Sequence, residues 1–224
     1  MKIVYVDEES DQHDEFKRRL KPHIRAREVE VIAIFPCEDI NKTIDEIIIN
    51  IPDVLVCDWQ LNAIKENVKV SIPYSGSELI DEFLKIRPDF PVYLNTALIN
   101  DGLGDEYTKD VNIVFQKSES MFDETSGNNI SMFKKMQIQS SKYKKQILQW
   151  ESELLALIKK DQSGETLSYQ EEDKLIELDT KLESVLDNRS KAPPNLKLKK
   201  NAELLNQLIE RTEELLTRVK KNDG

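Results

Sequence analysis

Through the first 117 residues, short β-branched and aromatic runs alternate with stretches whose apolar positions recur every three or four residues. The runs Lys2–Val6, Val29–Phe35, Asp53–Cys57, Pro91–Asn95 and Val111–Phe115 have the length and composition of strands. The central ones are apolar almost throughout, as expected of strands covered on both faces of a parallel sheet. Between them, Ser10–Lys21, Glu38–Asn50 and Ser77–Arg87 carry helical periodicity. Strand–helix alternation of this kind predicts an α/β, doubly wound, five-stranded parallel sheet. A fourth helix would have to come from INDGLGDEYTKD, whose two glycines disfavour one.

The pattern changes after Ile130. Phe133, Met136, Tyr143, Ile147, Trp150, Leu154 and Leu157 alternate by three and four if Ser140 fills one polar slot. That spacing predicts a helix with a seam for a second helix. From residue 129 to Lys160 it would reach about 50 Å. Gly164 marks a turn, and Ser168 with Glu171 forms a capping box for a helix carrying Leu175, Leu178, Leu182 and Val185. Pro193 and Pro194 break the chain before a third amphipathic stretch with Leu205, Leu208, Thr212, Leu215 and Val219. The expected organisation is a sheet domain over residues 1–125 and an α-helical bundle or coiled-coil module of about three helices over 129–224.

Charge sharpens this division. Up to Ile130 the chain carries 14 Lys and Arg against 26 Asp and Glu, and the remainder carries 18 against 16. An acidic first part argues against nucleic acid as a partner. The small lysine clusters of the tail read as solvated helix faces. Mean hydropathy is −0.53, no apolar run is long enough to span a bilayer, and the first residues lack the pattern of a secretory leader. A cytoplasmic protein without membrane contact is expected. Cys37 and Cys57 lack metal-ligand spacing and read as buried, reduced thiols. His13 and His23 read as surface residues, and Trp150 as core or interface.

Ligands of doubly wound sheets collect at the carboxyl ends of the strands. The residues there are Asp7 and Glu8, Asp58, Thr96 and Ala97, and Lys117. Three carboxylates, a hydroxyl and an ammonium suit a hard divalent cation such as Mg²⁺ together with a phosphoryl group. A carboxylate can accept that group as an acyl phosphate, while Lys117 and Thr96 neutralise and bind its oxygens. The small Ala97 would leave the donor a path.

The pieces IVYVDEES, DVLVCDWQL, SGSELIDEFLKIRPDFPVYLNTA and VFQKS resemble the receiver domain of bacterial response regulators, over residues 1 to about 120. The resemblance implies Asp58 as phosphoacceptor. It implies Asp7, Glu8, Asp58 and the Gln60 backbone carbonyl as Mg²⁺ ligands, and Thr96 and Lys117 as catalytic groups, with Ala97 beside the bound phosphoryl. It implies a histidine kinase or small phosphodonor upstream, and no enzyme activity beyond self-phosphorylation and dephosphorylation. The chain departs from the family at Asn62 and Ser118, where proline is usual, at Val114, where an aromatic is common, and in a longer loop over 62–75. With no DNA-binding motif in the tail, output by protein contact or homodimerisation through the helices is expected. The alternative is a non-cycling pseudo-receiver adaptor that keeps the pocket but works as a scaffold.

Overall fold

The computed structural model describes residues 1–62, 72–117, 130–187 and Arg189. The middle of the lengthened loop, Ser118, the proline pair and the expected third helix lie outside the described residues. The chain runs β1 (Lys2–Val6), α1 (Ser10–Arg19), α2 (Lys21–Arg25), β2 (Glu30–Ile34), α3 (Ile40–Ile49), β3 (Val54–Asp58), α4 (Gly76–Ile86), β4 (Val92–Thr96), α5 (Ile99–Gly104), β5 (Val114–Gln116), α6 (Met132–Gln162) and α7 (Tyr169–Asp187). The five strands form one sheet, β2-β1-β3-β4-β5, with every pairing parallel.

Successive side chains on a strand point to opposite faces, and the core divides accordingly. Val4, Val6, Leu55, Cys57, Val92 and Leu94 face α3 and α4, meeting Ile44, Ile47, Leu79 and Phe83. Ile3, Tyr5, Val54, Val56, Tyr93 and Phe115 face α1 and α6, meeting Phe16, Leu20, Met132, Phe133 and Met136. The first turns of α6 therefore complete the sheet's second cover. The same helix then runs on past the amino ends of the strands. There the Tyr143 ring meets Phe90 edge-on at 5.5 Å, and Lys144 pairs with Asp53 at 3.2 Å.

Beyond that point α6 and α7 form an antiparallel hairpin around Leu154, Ile158, Leu178 and Leu182, with Ile147, Trp150, Leu157 and Leu175 packed against them. The turn takes Gly164 to φ +86°, where a side chain is disfavoured. The capping box forms as expected: Ser168 N donates to Glu171 Oε2 at 2.9 Å, and Glu171 N to Ser168 Oγ at 3.4 Å. The carboxyl end of α7 returns to the sheet domain, where buried Arg87 donates Nε to the Val185 carbonyl at 2.8 Å. Among the described residues no helix is long and apolar enough to cross a membrane.

Several expectations change. The first helical stretch breaks at Leu20, because Pro22 fits only the first turn of a new helix. The last strand starts late: Asp110 accepts from Asn112 N and closes a 3-10 turn over Val111–Ile113. The INDGLGDEYTKD stretch forms only the six-residue α5. His13 is a core residue at 4% exposure, its ring edge-on to Tyr5 and Phe35. His23 is partly covered by Phe133. Cys57 is fully buried, as expected, but Cys37 only half so.

Candidate functional site

The pleat decides which side chains enter the crevice. Tyr5, Val56, Tyr93 and Phe115 share one face, so two residues further along their strands Asp7, Asp58, Asn95 and Lys117 continue it beyond the covering helices. Asp7, Glu8 and Asp58 are at most 8% exposed. One carboxylate oxygen of each lies within 4.8 Å of the others. Lys117 bridges the first and last, its Nζ 3.0 Å from Asp7 Oδ2 and 2.9 Å from Asp58 Oδ1. Burial pulls the Lys117 pKa down, but the charges of Asp58 and Asp7 outweigh it and the net shift is upward. Lys117 is thus an ammonium among three carboxylates. A buried set with excess negative charge and only oxygen donors fits a hard divalent cation.

Local structure holds each group in place. Lys117 N donates to the Thr96 carbonyl at 2.7 Å, and the Arg19 guanidinium of α1 donates to the Lys117 carbonyl. Asp7 Oδ1 accepts from Glu9 N at 2.9 Å. Thr96 is fully buried, and its Oγ1 accepts from Leu98 N at 3.0 Å. Its methyl lies where Gly102 comes close, since a Cβ there would stand 3.2 Å from Thr96 Cγ2. Ala97 is exposed at the mouth, and Gln60 is half-buried on the loop leaving β3.

The carbonyl of Asp58 itself abuts α4. A Cβ on Gly76 would stand 1.8 Å from it, so the first residue of that helix has room for hydrogen only. Gly76 N donates to the Trp59 carbonyl at 2.9 Å. Trp59 Nε1 in turn donates to Asp105 Oδ2 at 2.9 Å, tying the residue after Asp58 to the end of α5.

Of the strand-end residues singled out in the sequence, the structure brings Asp7, Glu8, Asp58 and Lys117 together; their supports were missed. The largest omission is Tyr5, 1% exposed, whose hydroxyl donates to Asp7 Oδ2 at 2.7 Å. The Asn95 side chain, close to the Tyr5 oxygen, favours its ionised form. Burial and the Asp7 charge push the Tyr5 pKa far up. An alternation rule counts tyrosine as one more apolar strand residue, so the signal was present but read as packing.

Neither the family models nor the curated proteins yielded a match. Among solved structures, the chain aligns with the anti-anti-sigma factor PhyR from Bartonella quintana at 15% identity. That alignment covers 65% of this chain and 49% of PhyR, with a TM-score of 0.43. The RcsB response regulator from Salmonella typhimurium aligns at 15% identity over 79% of this chain and 67% of that one, with a TM-score of 0.38. The chain thus spans about half the length of the PhyR chain. The sheet order and the helices on both faces stand independently of these alignments: the chain has a flavodoxin-like, doubly wound fold with a helical extension.

Proposed function

We propose that the chain is a receiver-type signalling protein that takes a phosphoryl group on Asp58 and signals through its helical hairpin. The observation that carries the reading is Lys117 Nζ bridging Asp7 and Asp58 beside a third buried carboxylate. Asp7, Glu8, Asp58 and the Gln60 carbonyl would hold Mg²⁺, which when bound supplies positive charge next to the incoming phosphoryl oxygens. Asp58 is the nucleophile: a carboxylate oxygen forms a bond to phosphorus, and the bond from phosphorus to the donor's leaving group breaks, an imidazole nitrogen for a phosphohistidine or an acyl oxygen for acetyl phosphate. Lys117 then sits beside the new phosphoryl group as its counter-charge. Thr96 Oγ1 accepts from Leu98 N, which leaves the hydroxyl proton as its donor to a phosphoryl oxygen. Exposed Ala97 leaves the approach open.

The donor would be a histidine kinase or a small phosphodonor, and the effector a protein contacted by the helices, with a second copy of this chain as one such partner. Neither nucleic acid nor membrane enters this reading, and the setting would be cytoplasmic. Catalysis would be confined to the protein's own phosphorylation and dephosphorylation.

The test is intact mass after incubation with acetyl phosphate and Mg²⁺, beside Asp58→Ala and an EDTA control. One added phosphoryl mass, absent in both controls, is expected. No gain under conditions where Mg²⁺ binding is measured would overturn the reading in favour of a non-cycling scaffold.

A further inference from the structure

β1 and β3 lie side by side with Tyr5 opposite Val56, and β3 and β4 with Asp58 opposite Asn95. This register puts the Tyr5 phenol one layer beneath the carboxylates and the Asn95 carboxamide beside Asp58. The Tyr5 ring stacks on Phe16 with centroids 4.2 Å apart and planes 5° from parallel. Phenylalanine would fill that space equally well. A hydroxyl buried in a sheet is costly unless it is bonded. What the Tyr5 oxygen adds to a phenyl ring, among the described residues, is its bond to Asp7 Oδ2.

Asp7 is thereby held from three sides. Tyr5 and Lys117 both reach Oδ2, and Glu9 N reaches Oδ1. Tyr5 differs from the other two in being set by the packed core, because its ring is fixed between Phe16 and His13. Partners of this kind orient ligating carboxylates, and their loss typically costs ten- to a hundredfold in metal affinity.

We infer that Tyr5 is a positioning residue that fixes the Asp7 carboxylate and thereby sets the site's affinity for a divalent cation. This rests on the proposed receiver chemistry. Tyr5 touches neither the phosphoryl group nor the reacting oxygen of Asp58; it acts through Asp7.

The experiment compares wild type, Tyr5→Phe and Asn95→Leu in the full chain. Mg²⁺ affinity is read by calorimetry, and phosphorylation from acetyl phosphate by intact mass across a Mg²⁺ series. For Tyr5→Phe, the Mg²⁺ dissociation constant and the Mg²⁺ concentration giving half the maximal rate should both rise about tenfold. The rate at saturating Mg²⁺ should fall by a smaller factor. A merely structural role would move melting temperature and leave that half-saturation point where it was. Asn95→Leu should shift the same point in the same direction by less, and serves if Tyr5→Phe folds poorly. Unchanged Mg²⁺ dependence in both variants, with wild type binding Mg²⁺ and taking up phosphate, would overturn the inference alone. Wild type that does neither would overturn the receiver reading and this inference together.

Discussion

Replacing Gly76 with alanine puts a methyl group where the backbone leaves none. The added Cβ would stand 1.8 Å from the Asp58 carbonyl oxygen and 2.8 Å from its carbon. Both neighbours are main chain, so no rotamer change relieves the clash. Asp58 closes β3, which is paired with β1 on one side and β4 on the other. Gly76 lies between the Ser75 cap, which accepts from Glu78 N, and the buried Leu79 and Phe83. The helix and the strand end must therefore separate by more than about 1 Å. Overpacking of this kind costs about 3 kcal/mol, or a melting temperature lower by roughly 6–12 °C for a chain of this size. Because the displaced atom belongs to the residue that would accept the phosphoryl group, a misplacement of ~1 Å should also slow uptake about a hundredfold. Thermal unfolding and the acetyl phosphate mass assay read the two effects. Gly104→Ala is the control, since a Cβ there meets nothing within 4 Å, and neither quantity should fall. If Gly76→Ala melts with wild type and takes up phosphate at its rate, the close packing of α4 on the Asp58 carbonyl is refuted.

Two further outcomes are expected. Arg87→Leu should release the end of α7, because it removes the bond to the Val185 carbonyl and the guanidinium 4.7 Å above the Phe90 ring. A loss of about 2 kcal/mol would raise amide exchange over the last turns of α7 by more than tenfold, and unchanged exchange there would show that Arg87 is no fastening. Glu171 is held down to about 2, first by Lys160 and then by the Ser168 cap bonds. Its contribution is present above the ordinary carboxylate range and lost as pH falls through about 2. Acid titration followed by amide signals should show the start of α7 loosening over that window, and Glu171→Gln should abolish this pH dependence.

The parts of the fold that declare themselves in the chain depend on near neighbours in sequence. Strand runs, helix faces and the Ser168–Glu171 box all fall within one or two turns of their partners, so periodicity and capping reveal them. The strand-end residues were legible because a parallel sheet gathers its carboxyl ends at one edge whatever the details. What stayed hidden depends on contacts far along the chain. His13 reads as polar on an exposed helix, yet the rings of Tyr5 and Phe35 cover it. Gly76 reads as an indifferent helix start until the Asp58 carbonyl arrives beside it. Tyr5 carries an apolar ring and a polar oxygen, and only the register with β3 and β4 shows which of the two matters. The sharing of α6 between sheet and hairpin was similarly out of reach, because a long apolar seam does not say where along it the packing partner changes.

That shared helix has a mechanical consequence. Among the described residues, α6 joins the sheet domain through its own continuous backbone, and the end of α7 joins it through Arg87, at the far end of the helix that begins against Asp58, with the Arg189–Asp45 pair just beyond. Packed helices lie about 9 Å apart, while residues 144–162 of α6 reach about 27 Å beyond the sheet. A slip of ~1 Å between the two attachments would therefore swing the Gly164 turn by about 3 Å. By this geometry the two helices form a lever with its short arm on α4, and a displacement too small to matter within the sheet would arrive about threefold enlarged at the tip.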